Sequence, residues 1–135
     1  MYVGGTLTLP QKMEGAIDAT GSQEMLFMGE KGGSARIPWT GIKSIEYGQQ
    51  VGRRWKTAIF LSPVALFSKG RKHYVTIAFT NGDGKEQAAV FEMGKDVYRM
   101  ALTALKTRSG KPIVCQDAEA VKQMGGACTV GDVEG

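Results

Sequence analysis

One histidine and two cysteines leave this 135-residue chain with few groups for nucleophilic or metal chemistry. Two sulfurs do not make a zinc site. The sole histidine, His73, falls inside an apolar strand pattern next to Tyr74, where histidine is more often structural than catalytic. Ser62 has no G-x-S-x-G context, Gly29–Gly33 is not followed by Gly-Lys-Ser/Thr, and Asp83 lacks the D-x-D-x-D-G spacing of a calcium loop. Glu92 and Asp96 could form a carboxylate pair, though an acid at position 96 is better explained by the start of a helix. No catalytic residue, metal or cofactor is expected.

Long hydrophobic runs are also missing. The longest, Ala58 to Phe67, spans about ten residues and is broken by Ser62-Pro63, whereas a membrane helix takes roughly 20. The opening MYVGGTLTLP lacks the basic and apolar regions of a signal peptide, so the cytoplasm is the default expectation, with periplasm or cell envelope if a leader preceded Met1. Proline is scarce at four residues while glycine reaches 19, spread without repeats, which points to many tight turns and short strands. With 42% hydrophobic residues, one domain with a substantial core is expected.

Between Glu46 and Asp83 there is no carboxylate at all. This stretch holds two basic clusters, Arg53, Arg54, Lys56 and Lys69, Arg71, Lys72, on either side of the apolar run. The chain carries 17 Lys+Arg against 13 Asp+Glu, so the rest is slightly acidic and the basic character is local. Two readings stand open for Ala58–Phe67. It is a buried strand with a solvated basic rim, the commoner arrangement, or a loop whose Phe60, Leu61 or Phe67 enters an anionic lipid boundary.

In chain order, Thr6–Leu9 alternates as a short edge strand ending at Pro10. Gly15–Ala19 and Glu24–Met28 read as a hairpin, followed by a Gly29–Gly33 turn and a third strand, Ser34–Trp39, with Ala35, Ile37 and Trp39 on one face. Ser44–Tyr47 and Trp55–Leu61 follow as strands. Lys72–Thr80 is the clearest, and Asn81-Gly82-Asp83-Gly84 turns it into Lys85–Met93. From Lys95 the period changes to 3.6, with Val97, Ala101, Ala104 and Leu105 on one side and Tyr98 and Leu102 widening the stripe. Lys106 and Arg108 suit its last turn, Gly110 its C-terminal cap, and Pro112 its stop. Residues beyond Val114 read as a polar tail, with one helical turn around Ala118–Met124. Cys115 and Cys128 in that tail leave two options, free thiols, which is preferred, or a disulfide that would imply an oxidising compartment.

This order predicts a mainly β (β+α) fold, an open barrel of about seven antiparallel strands with one C-terminal capping helix. Divided by residue, 1–13 is an N-terminal segment, 14–114 the domain and 115–135 the tail. In RIPWTGIKSIEYG (Arg36–Gly48), the Lys72–Met93 hairpin and the Lys95–Arg108 helix, the chain resembles bacterial pleckstrin-homology (PH-like) and GRAM-like domains. It is also similar to a group of small bacterial proteins sharing a "GRR…SPVALFSK…RKHY" core and "VFE-x-GKD" before the helix, from which no activity follows. The resemblance implies a non-enzymatic binding or scaffolding module for lipid head groups or protein peptides. The chain departs from the phosphoinositide pattern, because Gly21–Gln23 in its first hairpin offers no basic residue.

The expected ligand surface is therefore Arg53, Arg54, Lys56, Lys69, Arg71 and Lys72 around Phe60, Leu61 and Phe67, meeting an anionic membrane. The alternative is a protein-interaction or homo-oligomerisation module using a sheet edge. Nucleic acid is disfavoured, since a net charge of +4 is modest and aromatics such as Trp55 and Tyr74 are usually core in a β-rich chain.

Overall fold

The longest hairpin sets the frame. In the computed structural model, which describes residues 1–6, 13–49, 60–61, 73–116, 118–125 and 128–130, His73–Thr80 pairs with Glu86–Met93 without a break from His73↔Met93 to Thr80↔Glu86. Its turn is held by Asn81, whose Oδ1 accepts the amides of Asp83 and Lys85 at 3.0 Å each, while Gly84 takes the left-handed conformation at φ 77°. The alternation of Val75, Ile77 and Phe79 sends those side chains into the main core. Tyr74 and the opposite-face residues Ala88 and Val90 join Val3 in a second, smaller buried cluster.

Numbered in chain order, the strands are β1 (Tyr2–Gly5), β2 (Gly15–Asp18), β3 (Glu24–Gly29), β4 (Ser34–Pro38), β5 (Ile42–Gly48), β6 (Phe60–Leu61), β7 (His73–Thr80), β8 (Glu86–Met93), β9 (Ile113–Cys115) and β10 (Thr129–Val130). The helices are α1 (Tyr98–Ser109) and α2 (Ala118–Gln123). Seven strands make one sheet in the order β10-β9-β5-β7-β8-β1-β6; β2-β3-β4 make a second. The fold is mainly β, with two sheets and a C-terminal helix, and among the described residues the sheets do not close into a barrel.

Several sequence expectations are corrected. The first strand is Tyr2–Gly5, and it lies inside the sheet, between β8 and β6; of the edge strand expected at Thr6–Leu9, residues 7–9 lie outside the described residues. Tyr2 and Val3 are both buried, one in each core cluster, so no polar–apolar alternation marks the strand. Gly5 lets it come close, because a Cβ there would lie 2.3 Å from the Ala88 carbonyl oxygen. Trp39 leaves β4 for a 3-10 turn, Trp39–Gly41, and its indole N–H donates to the Gly21 carbonyl at 2.8 Å. Pro38 ends β4, an edge strand, as expected. Ile42 and Ile45 are both core although three residues apart, since the β5–β7 register shifts between Ile42 and Ser44.

Beyond α1 the chain does not trail off as a polar tail. Ile113–Cys115 runs parallel to β5, Thr129–Val130 parallel to β9, and Ala120, Met124 and Cys128 are buried. Parallel neighbours need a crossover, which α1 and then α2 supply. Cys115 and Cys128 are joined as a disulfide with Cα atoms 5.8 Å apart, so the preferred free-thiol reading is overturned.

Helix α1 divides the stripe read from sequence. Tyr98, Leu102 and Leu105 enter the core, whereas Val97, just before the helix, is 51% exposed, and Met100, outside that stripe, is 72% exposed. It starts at Tyr98, after a turn held by the amides of Val97 and Tyr98 on the Gly94 carbonyl, so Asp96 lies before the helix. Its end matches expectation: Gly110 at φ 71° donates to the Lys106 carbonyl, with Lys106 and Arg108 in the last turn.

Candidate functional site

The six bases singled out from sequence, Arg53, Arg54, Lys56, Lys69, Arg71 and Lys72, lie outside the described residues, and so does Phe67. Phe60 and Leu61 are described in the backbone, where they pair with Gly5 and Gly4 as β6. What the described residues offer instead is a cleft that sequence reasoning missed.

Its walls are two elements far apart in the chain. Glu14–Ile17, Ala19 and Thr20 from and beside β2 form one side. Val97, just before α1, and Met100, Ala101 and Ala104 of α1 form the other. Phe27 lies between them, and Met1, Glu92, Met93 and Gly94 close one end. The volume is about 740 Å³, within the roughly 300–1,000 Å³ typical of ligand pockets, and the lining is mostly apolar.

Local chemistry explains why the cleft stays open. Gly15 has no side chain because a Cβ would lie 2.7 Å from the Phe27 ring and 2.3 Å from the Met28 carbonyl oxygen. The Phe27 ring packs inward on Phe91 at 5.3 Å and Tyr2 at 6.5 Å between centroids, which anchors it to the large sheet. At the far end of β2, Asp18 accepts the Thr20 amide at 2.9 Å and the Thr20 hydroxyl at 2.5 Å. These bonds, the hydroxyl's first, hold the Asp18 carboxyl below its usual range.

The closed end carries the charge. Glu14 and Glu92 line it, with the Met1 ammonium donating to the Glu92 backbone carbonyl at 2.7 Å. Burial pushes the Met1 amine down, opposed by the field of the two carboxylates. Two carboxylates against one amine leave that end net negative.

No family model, curated protein or solved structure matches this chain. The pleckstrin-homology resemblance therefore rests on the order of elements and a few short segments.

His73 sits elsewhere, at the junction of β5, β7 and α1. Its ring is 8% exposed and stacks on Tyr98 at 3.8 Å and 8°. Its Nδ1 shares a 2.6 Å hydrogen bond with the Tyr47 hydroxyl, and the Tyr47 ring is parallel to that of Tyr98 at 5.2 Å. Tyr98 O–H and Arg99 Nε both donate to the Gln123 carbonyl at 2.8 Å, tying the stack to α2. Burial first, then the Arg99 charge, lowers the His73 pKa and keeps the imidazole neutral. With one face and Nδ1 taken, this histidine joins elements together. Among the described residues there is no cluster of His, Cys, Asp or Glu arranged for a metal, and no helix long and apolar enough to cross a membrane.

Proposed function

We propose that this chain is a non-enzymatic binding module of PH-like design that takes a protein partner along the cleft between β2 and α1. Antiparallel strands followed by an amphipathic helix support the design, with parallel β9 and β10 as additions to it. One observation carries the binding reading. An apolar cleft of about 740 Å³ runs beside β2, which among the described residues pairs with β3 alone in its sheet. An exposed sheet edge beside an apolar groove is a recurrent mode of peptide recognition.

The test is selection of a random 12-residue phage-displayed peptide library on the folded protein. Peptides should be enriched, and Ala104→Trp, which fills the cleft from α1, should abolish their binding. Enriched peptides indifferent to that substitution would move the partner elsewhere.

A second reading is favoured by the carboxylate-free segment between Glu46 and Asp83. In it, Arg53, Arg54, Lys56, Lys69, Arg71 and Lys72 contact an anionic membrane, each base contributing on the order of 1 kcal/mol, while Phe60, Leu61 or Phe67 enters the lipid. Reversing Arg53, Arg54, Arg71 and Lys72 to Glu should abolish sedimentation with phosphatidylserine liposomes; unchanged sedimentation discards this reading.

A further inference from the structure

Resting on the cleft as the partner site, we infer that its occupant is an extended polypeptide segment of a partner protein, added as a strand to β2 through Gly15 and Ile17, with a basic residue at the Glu14 end. The direction of the backbone groups carries the argument. Glu30 N–H donates to the Glu14 carbonyl at 2.9 Å, so Glu14 faces β3. In an antiparallel pair that role alternates, and the register Gly15↔Gly29, Ala16↔Met28, Ile17↔Phe27 gives the same role to Ala16. Gly15 and Ile17 must then direct their N–H and C=O groups away from β3.

Met13 shows where that direction leads. Two residues before Gly15, its N–H donates to the Tyr2 carbonyl at 3.1 Å and its carbonyl accepts the Tyr2 amide at 2.9 Å. This bridge is isolated, and past it no strand among the described residues pairs with Gly15–Asp18 on that side. The lining of the cleft agrees. A strand seen from its face shows every second residue, but Glu14, Gly15, Ala16 and Ile17 all line this cleft. It therefore runs along the edge of β2, where two N–H and two C=O groups are directed.

Those four groups decide between kinds of occupant. An apolar small molecule filling the cleft would displace water from them and return no hydrogen bond, which is costly. Another backbone in extended conformation supplies donors and acceptors at the same two-residue spacing, while its alternate side chains reach Phe27 and Met100. Charge sets the polarity of the segment, because Glu14 and Glu92 are the acidic residues of the lining and outnumber the single Met1 amine.

The experiment uses the peptides enriched from the library and their Kd values by fluorescence anisotropy. Expected sequences alternate apolar residues and carry a Lys or Arg at one end. Ile17→Pro should weaken them about tenfold or more, as should N-methylation of the peptide amides that would meet β2, since each removes edge hydrogen bonds. The Ile17 N–H faces away from β3, so proline there leaves the β2–β3 ladder intact, and the methylated peptides need no change in the protein at all. Glu14→Lys should remove the preference for a basic residue. Peptides blocked by Ala104→Trp but indifferent to both Ile17→Pro and N-methylation would overturn strand addition while leaving the cleft as the site. No enrichment, or binding indifferent to Ala104→Trp, would overturn both. Enriched peptides without a basic residue, or a dimer by light scattering that Ile17→Pro dissolves, would overturn the occupant named here.

Discussion

The two sheets differ in how they meet water. In the seven-stranded sheet, the first seven residues of β7 are buried on both faces, the polar His73 and Thr76 among them. In the three-stranded sheet, β2 is half-buried to exposed along its whole length, and its neighbour β3 alternates between buried Met25 and Phe27 and exposed Met28. The first arrangement suits a support, because a side chain enclosed on all sides has nothing left to offer a ligand. The second leaves backbone and side chains reachable while Phe27 anchors them to the support. A binding site placed at the seam can be rigid and open together.

The sharpest way to break this contrast is to remove a ring from the support. Phe91→Ala should cost about 3–5 kcal/mol, because Phe91 is fully buried against Tyr2 and Phe27. Met28→Ala on the small sheet, 47% exposed, should stay within about 0.5 kcal/mol. Urea melts that returned similar losses for the two would remove the distinction. Replacing Cys115 and Cys128 together by Ala should cost about 3 kcal/mol, the scale for closing a loop of this size, and dithiothreitol should lower the Tm of the wild type alone. An equal effect of reductant on the double variant would contradict the disulfide.

The gentlest effect is that of pH. His73 has a folded pKa below its unfolded value near 6.5, so the unfolded chain takes up the proton first on acidification. The contribution of neutral His73 is complete above about pH 6.5 and is lost as the pH falls towards the lowered value. His73→Phe should flatten the dependence of Tm on pH between 7 and 5. An unaltered slope would mean that other groups carry the acid sensitivity.

Local signals were legible where the structure is local. The β7–β8 hairpin, its Asn81–Gly84 turn, the β2–β3 hairpin and the Gly110 helix end all follow from residues close in sequence. Sequence failed where both faces of a strand are covered, as at Tyr2 and Val3, because burial on two sides erases the period of two. It failed again at Ile113–Cys115, three residues whose partner strand β5 precedes them by the length of β6, β7, β8 and α1. The sequence pattern puts Val97, Ala101 and Ala104 in one stripe with Leu105, and all three line the cleft, since a helical wheel cannot tell a buried stripe from one that lines a cleft. The cleft itself assembles from β2, the end of β8 and α1, and no motif spans that distance.

The placement of β1 bears on how the chain reaches its shape. Ala88 N–H donates to the Thr6 hydroxyl across 82 positions, at the end of a strand that has β8 on one side and β6 on the other. On a ribosome Tyr2–Gly5 is made well before its principal pairing partner β8, Glu86–Met93. Such distant pairing slows folding, so a nascent chain should expose this apolar segment to chaperones until β8 has emerged.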